Sequence, residues 1–102
     1  MAKVKVATVN EIPEGDLKKV DVNDQPMALF KIGGEIFATT NICPHEQCEL
    51  DENHAIHGEE VECTCHGSRF NIKTGANVLP PAAEPLKTYE VSIEGDEVFV
   101  EA

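Results

Sequence analysis

The stretch from Cys43 to Ser68 reads CPHEQCELDENHAIHGEEVECTCHGS. It holds all four cysteines of the chain and all four histidines. It also breaks the pattern on either side of it. Before it, short Val- and Ile-rich runs alternate with turn residues, which favours strands. Lys3–Val9, Leu17–Val22, Met27–Ile32 and Glu35–Thr40 read as four strands. Pro13 with Gly15, the run Asn23-Asp24-Gln25-Pro26, and Gly33-Gly34 read as the turns between them. After it, Lys87–Ile93 and Glu97–Glu101 form a hairpin around Glu94-Gly95-Asp96, with Tyr89, Val91 and Ile93 alternating on one arm. No amphipathic helix, internal repeat or low-complexity segment stands out.

The fold class expected is all-β: a small antiparallel sandwich or barrel with a loop-rich segment inserted. With 102 residues the chain has room for one core and one domain. The base would comprise 1–40 and 86–102, and the insert about 41–85. Within the insert, short strands are expected at Cys48–Asp51, Glu59–Thr64 and Arg69–Asn71, with a turn at Lys73-Thr74-Gly75. Leu79-Pro80-Pro81-Ala82 and Pro85 make a stiff segment unsuited to an interior strand. A loop-rich stretch of this length in so small a domain is functional or held by something other than a core.

The formal charge of −11 makes nucleic acid a poor partner, because phosphates are repelled. Acids suit solubility and docking on basic partners. The N-terminus alternates like a strand, without the apolar core of a signal peptide, and no apolar run is long enough for a membrane helix. A cytoplasmic protein without a membrane anchor is expected. There, clustered Cys and His point to metal or redox chemistry.

The ligand pattern is Cys-x-His, seventeen residues, then Cys-x-x-His: Cys43 and His45, then Cys63 and His66. Two thiolates and two imidazoles satisfy a tetrahedral zinc ion. They also satisfy a [2Fe–2S] cluster with two sulfur ligands on one iron and two nitrogen ligands on the other. On residue types alone both stay open. His54 and His57, in an acidic segment without a matching cysteine pair, read as solvent-facing loop histidines. Glu59, Glu60 and Glu62 read as a solvated strand face.

Zinc fingers pair Cys with Cys and His with His. Here each half carries one of each, beside Pro44 and Gly67. In this, Cys43-Pro44-His45 and Cys63-Thr64-Cys65-His66-Gly67-Ser68-Arg69-Phe70 resemble the two boxes of the Rieske family. Pro80-Pro81 sits where that family places a proline loop over its cluster. The resemblance implies one [2Fe–2S] cluster, with Cys43 and Cys63 binding the inner iron and His45 and His66 the outer. Neutral imidazoles in place of thiolates raise the potential, to about −150 to +300 mV against about −400 mV for plant-type ferredoxins. It implies, further, a disulfide between Cys48 and Cys65 of the kind carried by cytochrome bc-type members; the other reading of that pair is two thiols. Ser68 matches a hydroxyl donor that raises the potential. Phe70 stands where those members have a donating tyrosine, so a potential between the two subgroups is expected.

The function implied is a one-electron carrier, not an enzyme, passing electrons from a reductase to a terminal oxygenase or similar enzyme. The alternatives are a small electron-transfer subunit of a larger oxidoreductase, such as a nitrite reductase, and a zinc-stabilised interaction module.

Overall fold

The computed structural model describes residues 3–43, 48–65, 67–79 and 84–101. Its elements are β1 (Lys3–Thr8), a 3₁₀ turn at Val9–Glu11, β2 (Asp16–Val22), β3 (Gln25–Ile32), β4 (Glu35–Thr40), β5 (His54–His57), β6 (Glu60–Cys63), β7 (Ser68–Asn71), β8 (Asn77–Leu79), β9 (Thr88–Tyr89), β10 (Val91–Glu94) and β11 (Glu97–Glu101). They form three antiparallel sheets in the orders β1-β11-β10, β2-β3-β4-β9 and β5-β6-β7-β8.

The run Met27-Ala28-Leu29-Phe30 is apolar without interruption, and all four residues are fully buried. Alternation sends them to opposite faces of β3. Met27 and Leu29 join Val22, Ile36, Ala38, Val98 and Val100 in the core between the first two sheets. Ala28 and Phe30 join Leu17, Leu50, Val61, Phe70 and Ile72 in a second core, beneath the third sheet; the single core expected from chain length is thus two, because β3 is buried on both faces. Burying one such large side chain is worth about 2 kcal/mol.

The expected strands outside the Cys/His segment all form, two with a changed relation. β3 starts at Gln25, so only Asn23 and Asp24, both at positive φ, make the preceding turn. Tyr89 and Val91 do not share a sheet. Tyr89 pairs with Ala38 of β4, and Val91 pairs with Val100 of β11. The chain thus changes sheets at Glu90, and the two arms of the expected hairpin begin only at Val91.

The stretch 41–86 differs more. Cys48–Asp51 is not a strand: apart from one bridge, Ile42 to Glu49, it turns, and the Glu52 and Asn53 amides donate back to the Glu49 carbonyl. A strand does form at His54–His57, paired to β6 with His54 opposite Cys63. His54 is therefore no solvent-facing loop histidine. Its side chain is 18% exposed, with Nδ1 2.6 Å from the Leu50 carbonyl and Nε2 2.7 Å from Asp16 Oδ1. This ring ties the third sheet to β2. His57 stays exposed and sits 2.8 Å from Glu62. The acids of β6 and Glu59 just before it have partners too: Arg69 lies 3.6 Å from Glu60 and 3.9 Å from Glu62, and Lys73 lies 3.1 Å from Glu59.

Gly75 lies against the backbone of Leu86, a residue of the second core, whose amide donates to the Gly75 carbonyl at 2.8 Å. The φ of Gly75 is +79°, and a Cβ there would stand 2.1 Å from the Leu86 carbonyl oxygen. Gly95 has φ +65° with nothing near the added carbon. Gly95→Ala should therefore cost on the order of 1 kcal/mol, from conformation alone. Gly75→Ala should cost at least ~3 kcal/mol, because backbone must move as well. Urea unfolding of both variants checks this; equal costs would remove the close approach as the cause.

The His54 side-chain hydrogen bond holds the Asp16 carboxyl below its ordinary value of 3.8, with burial opposing and the Leu17 amide assisting. A depressed carboxylate pKa gives stability that is present above the unfolded value and lost as pH falls through the folded one. Wild type should exceed Asp16→Asn in stability at pH ~5, and the gap should narrow as the pH falls below 3.8. Urea midpoints across that range test it; a gap that widens in acid would contradict the linkage.

Candidate metal centre

Two hairpin-like loops meet at one end of the second core. The first leaves β4 through Asn41, which is fully buried. The Asn41 carbonyl accepts from the Leu50 amide at 2.7 Å, and the Cys43 amide donates to the Cys48 carbonyl at 2.8 Å. The Asn41 side chain completes the closure: Nδ2 donates to Asp51 Oδ1 at 2.8 Å, and Oδ1 accepts from the Asp51 amide at 3.0 Å. A buried amide satisfied on both ends fixes one geometry, since any other leaves it unpaired. Nothing in the cysteine spacing marks Asn41. The available signal was an amide directly after the apolar strand Glu35–Thr40, where chain direction must change.

The second loop joins β6 to β7. Cys63 ends β6 and pairs across the ladder with Ser68. The Gly67 amide donates to the Cys63 carbonyl at 2.9 Å, with Gly67 at φ +84°, a conformation that glycine reaches freely. Asn53, another residue the motif does not show, links the two loops. Its carbonyl accepts from the Thr64 amide at 3.1 Å, and its Nδ2 donates to the Glu49 carbonyl at 3.0 Å.

Cys43 and Cys63 are each 1% exposed and lie in the same apolar cluster. Cys48 and Cys65 are joined by a disulfide, seventeen residues apart in sequence. Closing a loop of that length is worth about 3 kcal/mol of unfolded-state entropy. Here it also binds one loop to the other. Ser68 is buried at the start of β7, and Phe70 is fully buried opposite Val61. His45, His66 and Pro80 lie outside the described residues. Among the described residues, then, two buried thiols belong to one apolar cluster, and the disulfide packs against it. That donor set fits one half of a mixed thiolate–imidazole cluster: sulfur ligands held dry, on backbone that cannot drift apart.

The Rieske [2Fe–2S] domain pattern matches residues 2–90. The biphenyl dioxygenase ferredoxin subunit of Pseudomonas sp. (strain KKS102) is 39% identical over 101 residues, covering 99% of this chain and 93% of its own. The ferredoxin of carbazole 1,9a-dioxygenase from Nocardioides aromaticivorans IC177 superposes with a TM-score of 0.91 at 31% identity, covering 98% of this chain and 97% of its own. A ferredoxin solved in complex with the oxygenase of carbazole 1,9a-dioxygenase superposes with a TM-score of 0.88 at 31% identity, over 96% and 91%. With a pattern match over most of its length and relatives similar from end to end, this chain belongs to the Rieske [2Fe–2S] family, and its cofactor is a [2Fe–2S] cluster.

Proposed function

We propose that this protein is a one-electron carrier of an aromatic-ring dioxygenase system, itself without catalytic activity, that takes an electron from a reductase and delivers it to a terminal oxygenase. The observation that carries this reading is the pair of buried thiols, Cys43 and Cys63, held on two clamped loops in a chain whose relatives are dioxygenase ferredoxins. The complex of a related ferredoxin with its oxygenase supports the choice of acceptor.

In this reading Cys43 and Cys63 bind one iron and His45 and His66 the other. When bound, the cluster supplies a one-electron centre with no open position for substrate. The chain's own part is to exclude water from the two thiolates and to present the imidazole side to a partner. Ser68 lends a hydroxyl to the cluster surroundings, which favours the more negative reduced state. Pro80 belongs to the segment that covers the centre. Residues 1–40 and 86–102 are the frame, and 41–85 the cluster-binding part, of a single domain. The carrier is cytoplasmic in this reading, in keeping with its charge of −11; no helix among the described residues is long and apolar enough to cross a membrane.

Dithionite-reduced protein should give the electron paramagnetic resonance signal of a mixed thiolate–imidazole [2Fe–2S] centre, and His45→Ala or His66→Ala should abolish it. Mixed without oxygen with the reductase and oxygenase of an aromatic-ring dioxygenase system, the protein should be reduced by the first and reoxidised by the second. Failure to exchange electrons with either component would overturn the carrier reading, and an unchanged signal in both histidine variants would overturn the ligand set. Phe70→Tyr tests the neighbourhood of the sulfurs. A hydroxyl added at this buried position should raise the potential, measured by redox titration; an unchanged potential would mean that no donor reaches the centre.

A further inference from the structure

The sheet β1-β11-β10 ends on one side in the open edge of β10. The Glu101 amide donates to the Glu90 carbonyl at 3.0 Å, and this bond sets the alternation along the ladder. The backbone groups of Ser92 and Glu94 turn toward β11 as those of Glu90 do, and those of Val91 and Ile93 turn away from it. Among the described residues, no backbone partner meets the outward groups of Val91 and Ile93. There is room beside them. The chain leaves β4 at Tyr89 and joins β11 at Val91, and where the two sheets part a groove of about 450 Å³ opens, lined by Glu35, Ile36, Tyr89, Glu90 and Val91 among others.

The edge is apolar on one face and acidic on the other. Val91 packs against the core between the first two sheets. Ile93, on the same face, is 44% exposed, one of two large apolar side chains left so open among the described residues. Glu90 and Glu94 are exposed on the opposite face. Glu94 is bonded to Lys3, but Glu35, Glu90 and Glu101 have no cation at ion-pair distance among the described residues. Lys73, which also lines the groove, lies 3.1 Å from Glu59.

The other edge of the same sheet shows what kind of strand fits such a surface. β1 begins Lys3-Val4-Lys5-Val6 and pairs along β11. Lys3 is bonded to Glu94, and Lys5 stands 2.9 Å from Glu97, while Val4 and Val6 pack against the core. A strand of that pattern, laid about 4.8 Å from β10, meets the outward groups of Val91 and Ile93. Its aliphatic side chains cover Ile93, and its cations stand beside Glu90. A second copy of this chain is a poor occupant. Each copy carries a charge of −11, and antiparallel pairing of two β10 edges sets Glu90 and Glu94 of one against those of the other.

We propose that the open edge of β10 is a docking site for an extended segment of another protein in which lysine or arginine alternates with aliphatic residues, added to the sheet as a further strand beside Val91 and Ile93. Main-chain bonds supply the hold, and the alternation of charge and apolar surface selects the segment. Val91 and Ile93 belong to a sheet that carries no cysteine, so a partner docked there leaves the thiol-bearing end of the molecule open. The site stands independently of the carrier reading.

The test uses the full chain with its cluster in place. The probe is the peptide Lys-Val-Lys-Val-Ala-Thr, the sequence of β1, acetylated and amidated at its ends. At saturation it should slow hydrogen exchange of the Val91 and Ile93 amides about tenfold or more, with the visible absorption of the cluster unchanged. Binding should weaken about threefold or more between ~20 mM and ~500 mM salt, and to a similar extent in the double variant Glu90→Gln, Glu101→Gln. The same peptide with glutamate in place of both lysines should not bind, nor should the original peptide N-methylated along its backbone. Binding that survives N-methylation would overturn strand addition without any change to the protein. Changes confined to the β1–β11 ladder would mean that the peptide had displaced β1, and would overturn the proposal too. Protection of Val91 and Ile93 in the protein alone, rising with its concentration, would assign the edge to a second copy and reject the basic segment.

Discussion

Everything in this molecule leans on the two-sided burial of β3. Met27 and Leu29 look into one core, and Ala28 and Phe30 into the other. A strand buried on both faces has no tolerance for a register slip, because a shift of one residue would exchange its two apolar sets. Leu17 faces Phe30, and Val20 faces Met27, so β2 repeats the division. On the far side Phe37 faces Phe30 and Ala38 faces Leu29. The sheet is thus a shared wall. The core on one side holds the termini together, and the core on the other supports the loops that carry the cysteines.

That wall explains how a loop-rich segment keeps its shape. Leu50, Val61, Phe70 and Ile72 reach down from the segment and pack on Ala28 and Phe30. Hydrogen bonds then fix what apolar contact cannot orient. Asn41 ties Asp51 and Leu50 to the end of β4, Asn53 joins the two loops, and His54 reaches across to Asp16. The disulfide adds a covalent link on top. The surface ion pairs of Glu59, Glu60 and Glu62 are worth little by themselves, on the order of 0–1 kcal/mol each. Their effect is to mute the negative charge on and beside β6.

The sequence disclosed the frame well and the segment from Asn41 to Leu86 less well, for a physical reason. Strands of the frame are written in alternation, and Gly33-Gly34, with φ of 60° and 81°, can hardly be anything but a hairpin turn. Membership of a sheet is not written there. Tyr89 and Val91 keep the same period while belonging to different sheets, because alternation records which face is buried and not against which neighbour. His54–His57 carries no strand composition, and becomes a strand through pairing to β6. Cys48–Asp51 looked extended, yet the Asn41 carbonyl and the Glu49 carbonyl capture its amides and those that follow. Cysteine and histidine spacing made the candidate ligands legible. The supporting amides Asn41 and Asn53 were not, since a single polar residue among many announces nothing until its partners surround it.

The topology has a consequence for the order in which the molecule is built. The sheet β1-β11-β10 pairs Lys3 with Glu101, and β4 must wait for β9. The first contact spans nearly the whole chain and the second about half of it, and both pay the entropy of loop closure before they return any energy. The ladder β5-β6-β7-β8 is made of neighbours, with Cys63 and Ser68 only a tight turn apart. Local hairpins close in microseconds, while wide loops set the pace for the rest. During synthesis from the N-terminal end, the loop bearing Cys63 can take shape before β10 and β11 exist to complete the frame. The step that finishes the protein is then the docking of its last strands onto its first.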